Sequence, residues 1–133
     1  MDEQTDRLVI RGSDNSPLER MDEGSFRLVQ RDQLDLGEIS IGISNNPPGS
    51  GVTGIMHRHS CGEVFVVYEG RGIYTVDETE IVAEPGDMVI IPPNTWHTFR
   101  PDDGASGLRH VAVYDSGNVD IEISTRPGEV FPL

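Results

Sequence analysis

Short apolar segments separated by turn residues at intervals of about eight to twelve positions set the strongest limit on how this chain can fold. The 133 residues include 15 Gly and 9 Pro, and no window carries an apolar repeat near 3.6, so no helix is expected. The reading is all-β, a sandwich or barrel. Strands are expected over Arg7–Arg11, Ser25–Arg31, Gly37–Ile43, Val64–Tyr68, Met88–Ile91, Trp96–Arg100, Leu108–Tyr114 and Val119–Ile123. Gly72–Val76 and Glu80–Ala83 read as a hairpin around Asp77, Glu78 and Thr79. Gly37–Ile43 alternates strictly, with Ile39, Ile41 and Ile43 on one face. Residues 12–24 and 45–51 read as loop. Residues 1–6 read as a frayed end, and residues 124–133 as a tail that packs on the barrel or on a partner. The whole chain, 1–133, is expected to be a single domain with its barrel core over about 25–123.

Composition removes several function classes. The formal charge is −13, from 23 acidic and 10 basic residues, and every basic residue is Arg. Such a surface repels phosphate, so neither nucleic acid nor an anionic membrane is an expected partner. Without lysine, Schiff-base chemistry within the chain is excluded. One cysteine, Cys61, excludes an intrachain disulfide. The amino-terminal stretch MDEQTDR has no basic region followed by an apolar run, and no segment has the length of a membrane span. A soluble, cytoplasmic protein is expected.

The chemistry concentrates in Gly51–Gly70 and Gly86–His97. His57 and His59 stand two apart, so on a strand both rings project from one face. Glu63 follows four residues later, and His97 adds a third imidazole. Three imidazoles and a carboxylate suit one divalent ion, whether zinc, iron, manganese, nickel or copper. They leave one or two positions open, as catalytic sites do. Glu63 either ligates or stands back as a base. Strand parity places Ile55 with His57 and His59, Phe65 and Val67 with Glu63, and Phe99 with His97; these four are the candidate ligand-pocket residues. His110 reads as structural or surface, Cys61 as a small buried turn residue. Trp96 reads as wall or interface, and Arg58 and Arg109 as surface ion-pair partners.

The two segments resemble the paired motifs of the cupin family. Gly51, His57, His59, Glu63 and Gly70 meet every spacing of the first motif. Gly86, Pro92 and His97 meet the second, with Asn94 where the pattern has Gly and Pro101 where it has Asn. Asn tolerates the left-handed backbone that a tight turn needs there. The resemblance covers about residues 37–115. It implies a cupin-type double-stranded β-helix, or jelly-roll barrel, with His57, His59, Glu63 and His97 as metal ligands. It also implies a homodimer, since the first strand of small cupins often crosses to a neighbouring subunit.

Within that family, HRHSCGEVF (57–65), PGSG (48–51) and the Ile91-Pro92-x-Asn94-x-x-His97 pattern resemble the auxin-binding proteins. That resemblance implies a zinc ion that takes the carboxylate of a small aromatic acid. The chain lacks that branch's disulfide cysteines and the Trp near its carboxyl end. Three functions follow as expectations. The first is metal-dependent binding of a small organic acid or other oxygen donor. The second is a metal-dependent dioxygenase, isomerase or decarboxylase. The third is a non-catalytic structural or regulatory dimer.

Overall fold

The computed structural model describes residues 8–11, 18–19 and 24–133. In chain order the elements are β1 (Leu18–Glu19), β2 (Ser25–Val29), α1 (Arg31–Leu34), β3 (Ser40–Asn46), β4 (His57–Arg58), β5 (Glu63–Gly70) and β6 (Gly72–Val76). They continue with β7 (Thr79–Ala83), β8 (Met88–Ile91), β9 (His97–Pro101), β10 (Leu108–Tyr114), β11 (Asp120–Ile123) and β12 (Val130–Pro132). Two antiparallel sheets result, ordered β1-β2-β3-β10-β5-β8 and β12-β11-β4-β9-β6-β7. Apart from the β6–β7 hairpin, every connection from β3 to β11 crosses between the sheets, which is the winding of a jelly-roll barrel.

Strand alternation decides what lies between the sheets. Phe65 and Val67 of β5, Tyr74 of β6, Val89 and Ile91 of β8, and Phe99 of β9 form the buried core with residues of β10. At about 25 cal/mol per Å² of apolar surface, this contiguous cluster is the main stabilising term. Among the described residues, no helix is long and apolar enough to cross a membrane.

Ile41 and Ile43 share a face of β3, as the alternation implies, and it is the outer one: Ile43 is 44% exposed, while Ser40, Ser44 and Asn46 are buried. The inner face is small and polar because other groups fill it. A Cβ at Gly42 would lie 2.7 Å from the Phe26 ring, so the ring occupies the space a side chain would take. The Asn46 amide donates to Ser44 Oγ (2.9 Å) and to the Leu108 carbonyl (3.1 Å), which satisfies this buried polar set. Three expectations need correction. The first is the absence of helix: α1 is one helical turn that ends at Asp35 in a left-handed conformation (φ 52°), and a single turn is too short to show a period. Second, residues 8–11 hold no strand, and Arg7 lies outside the described residues. Third, the 12–24 loop contains β1. The tail packs on the barrel, one of the two placements expected for it, as β12 on the edge of β11.

Candidate metal centre

β4 is two residues long and is held between β11 and β9. His57 stands directly opposite His97 in that pairing, and their ring centroids are 4.2 Å apart. His59 follows in the short connection to β5, edge-on to His57 at 5.1 Å. Glu63 opens β5 in the other sheet. Nitrogens of His57, His59 and His97 all lie within 4.8 Å of one another. Glu63 Oε1 is 3.1 Å from His97 Nε2 and 3.6 Å from His59 Nε2.

Hydrogen bonds fix the ring tautomers. His59 Nδ1 is 2.6 Å from the Asp120 carbonyl, and His97 Nδ1 is 2.8 Å from the Thr95 carbonyl. A carbonyl only accepts, so each Nδ1 donates, and in the neutral, ligating ring each Nε2 presents a lone pair. Both Nε2 atoms and both Glu63 oxygens are buried without a hydrogen-bond partner. Acceptors facing acceptors at such distances repel, and a bare buried carboxylate is costly. A cation removes both penalties, so the residues fit a metal ion. Burial lowers the His59 pKa against the opposing pull of Glu63, which favours the neutral, ligating imidazole.

The connection carrying His59 and Glu63 is clamped from outside. The Asp120 carboxylate accepts from the Ser60 amide (2.7 Å) and from the Ser60 hydroxyl. Asp115 accepts from the Gly62 amide at 2.6 Å. Asn94, left-handed at φ 57°, turns the chain before β9 and donates its amide to the His59 carbonyl (2.7 Å). This is the tight turn the sequence allowed at that position.

A cavity of about 250 Å³ opens onto His57, His59 and Glu63. Phe65 and Phe99 line it, as strand parity suggested. Ile55 does not: residues 51–56 form no strand, so parity does not extend back from His57, and Ile55 is 43% exposed. Nor does Val67, which lies one pleat further along β5 in the packed core. Sequence reasoning missed Phe26, Tyr114, Ile121 and Leu133 in the lining. His110 also lines the cavity; it is buried, 2.6 Å from the Tyr74 hydroxyl, with its ring against Phe65 and Phe99. Burial drives the Tyr74 pKa upward, so the phenol keeps its proton.

Other singled-out residues are placed plainly. Arg58 pairs with Glu122 (3.0 Å) and stacks over Trp96 at 4.4 Å. Arg109 pairs with Glu69 at 3.5 Å. Cys61 is half-buried, and burial beside Asp115 pushes its thiol up to about 11, so it is not a thiolate near neutral pH.

A family model described as Cupin domain matches residues 43–114. Auxin-binding protein T85 of Nicotiana tabacum is 31% identical over 97 residues, 71% of this chain and 50% of that protein. Quercetin 2,3-dioxygenase of Bacillus subtilis is 30% identical over 76 residues, 57% of this chain and 22% of that enzyme. The chain thus spans half or less of the length of these curated relatives. Among solved structures, an oxalate decarboxylase of Lactobacillus farciminis superposes with a TM-score of 0.69 at 17% identity, over 83% of this chain and 33% of that one. At that identity the likeness is one of fold.

Proposed function

The chain belongs to the cupin family, and from that premise we propose that it holds one divalent metal ion through His57, His59, Glu63 and His97 and binds a small organic acid beside it. The observation that carries this reading is the set of four buried acceptor atoms converging without partners. Three imidazoles and one carboxylate accept zinc, iron, manganese, nickel or copper. A bound divalent ion supplies Lewis acidity and an exchangeable position for an oxygen donor. The chain's own residues do the rest. Asp120 and Thr95 hold the imidazoles in their ligating tautomers, Glu63 supplies negative charge, and Phe65, Phe99 and Ile121 exclude water from the cavity. At about 250 Å³ the cavity is smaller than drug-sized sites, which supports a compact ligand. The name of the tobacco relative supports an acid. On a chain of charge −13, an anionic ligand also needs a local cation.

The test is elemental analysis of the protein beside a His57→Ala/His97→Ala variant, followed by calorimetry with small aromatic and keto acids. About one metal per chain, absent from the variant, and metal-dependent heats of binding are expected. No metal after reconstitution would sink the reading. A second reading, a metal-dependent dioxygenase, draws on the match to quercetin 2,3-dioxygenase. Oxygen uptake that disappears in His59→Ala would favour it over binding alone.

The Asp120 clamp gives a separate prediction. Asp120→Ala frees Ser60 and loosens His59, and metal affinity is expected to fall about 10- to 100-fold. Asp120→Asn keeps an acceptor for the Ser60 amide and should recover most of the loss. Competition with a chromogenic chelator measures both, and unchanged affinity in the Ala variant would remove Asp120 from the site's support.

A further inference from the structure

We propose that His110 is a second polar anchor in the cavity, and that the ligand is an aromatic acid with a hydrogen-bond acceptor on the ring end remote from its carboxylate. A ring hydroxyl or a carbonyl would serve. This rests on the metal-and-acid reading above and adds the feature that selects among acids.

The pairing registers lay the inner face of β3, β10 and β5 out in rows. Ser40, Tyr114 and Glu63 form the row at the metal centre. Gly42, Ala112 and Phe65 form the next, with the Phe26 ring over Gly42. Ser44, His110 and Val67 form the third. Four residues of β5 separate Glu63 from Val67, about 13 Å of extended strand. Glu63, Phe65 and His110 all line the cavity, so it reaches from the first row to the third. Its polar groups stand at the two ends, and rings stand between them. Phe65 faces Phe99 of the other sheet at 5.2 Å between centroids, in an edge-to-face arrangement. A flat aromatic body suits such walls.

The Tyr74 hydroxyl decides which role His110 plays. Tyr74 lies in the core cluster behind the imidazole, and its oxygen is 2.6 Å from His110 Nδ1. Among the described residues, His110 is the only hydrogen-bond partner of this buried phenol. A phenol with one partner donates to it, since accepting instead would leave its own proton buried and unpaired. Nδ1 therefore accepts, and the proton of the neutral ring sits on Nε2. His110 is thus a donor, the reverse of the tautomer held at His59 and His97, and it calls for an acceptor on the ligand. Packing alone does not require an imidazole here. Leu108 and Ala112 fill the neighbouring inward positions of β10 with no polar side-chain atom to satisfy. With the carboxylate at the metal and the ring among the Phe side chains, the far end of the ligand arrives at His110. An acceptor there gains a hydrogen bond in a site closed to water, and a bare ring end gains none.

Isothermal calorimetry on the metal-loaded protein tests the proposal with benzoate, para-hydroxybenzoate and para-formylbenzoate as probes. The wild type should bind each substituted acid about ten- to a hundredfold more tightly than benzoate. The formyl group only accepts, so its gain reports the donor on His110. Tyr74→Phe/His110→Leu replaces both members of the pair by apolar groups, a change the core can accommodate. Retained metal shows that its barrel is intact. The readout is the ratio of affinities within each protein, so a general loss of binding cancels, and in the double variant the ratio should fall to near one. Tyr74→Phe alone removes the group that fixes the tautomer and should lower the ratio partway. Equal affinities for benzoate and the substituted acids in the wild type would overturn the assignment, as would a preference that survives the double variant. A gain for the hydroxyl without one for the formyl group would overturn the donor role. Absence of heat with all three acids would instead overturn the acid-binding reading, and this inference with it.

Discussion

Glu63→Gln is expected to stabilise the metal-stripped protein while destroying its affinity for metal. Both effects come from the same two oxygens. In the stripped protein the Glu63 carboxylate is buried without a hydrogen-bond partner and faces His97 Nε2 at 3.1 Å. Gln has the same shape, no charge and an amide N–H that can donate to either Nε2 lone pair. Replacing an uncompensated buried charge by a neutral, hydrogen-bonding group should gain about 1–3 kcal/mol. For a domain of this size, that is a rise of roughly 5 °C in Tm. The same change removes the only anionic donor among the four proposed ligands, and the metal dissociation constant should rise at least about a hundredfold. Thermal melts in chelator and metal titrations of one preparation give both numbers. A Gln variant that is less stable when stripped would mean that Glu63 is held by a compensating charge inside the barrel, such as a protonated His97.

Gly70→Ala should be the most damaging change outside the metal centre. Gly70 ends β5 at φ +81°, and a Cβ there would lie 2.0 Å from the Gly107 carbonyl oxygen. The contact is with backbone at the start of β10, which is paired with β5 along seven residues and cannot rotate away. The expected loss is about 4 kcal/mol, from backbone strain plus displaced pairing. Gly54→Ala provides the comparison. Gly54 has a similar φ of +70° but nothing within 4 Å of the added carbon, so its cost should stay near 1 kcal/mol. Urea denaturation midpoints separate the two cases. Equal losses would show that φ strain alone, and not the approach to Gly107, explains why glycine sits at the end of the first motif.

Local spacing carried the reading only where a strand was regular. β6, β8 and β10 lie where alternation put them, and Phe65 and Phe99 reach the cavity by the same parity. Parity separates two faces of a strand but does not say which is inside. The shared face of Ile39, Ile41 and Ile43 left that question open, and it is answered by Phe26, which arrives from β2 to cover Gly42, and by a polar cluster that fills the rest of the inner face. His110 was open for the same reason, and its buried side is settled by the Tyr74 hydroxyl, 36 residues away. Ile55 was misplaced because parity was carried across a turn. The partners that set the imidazole tautomers are backbone carbonyls at Asp120 and Thr95, and a carbonyl leaves no mark on the residue type that bears it. Ile121 lies on β11, a strand the sequence did place but whose inner face it left open, and Leu133 follows β12, whose three residues are too brief for a periodic signal.

Glu63 stands on one sheet, while His57 and His97 stand on the other. An ion held by all of them would be a rivet through the barrel wall to wall. In a chain with a single cysteine, it would take the place that disulfides fill in other small β proteins. The two layers could then not peel apart until the rivet was released. Resistance to heat and protease would follow the escape rate of the ion, so the protein's lifetime would be tuned by whichever metal its surroundings supplied.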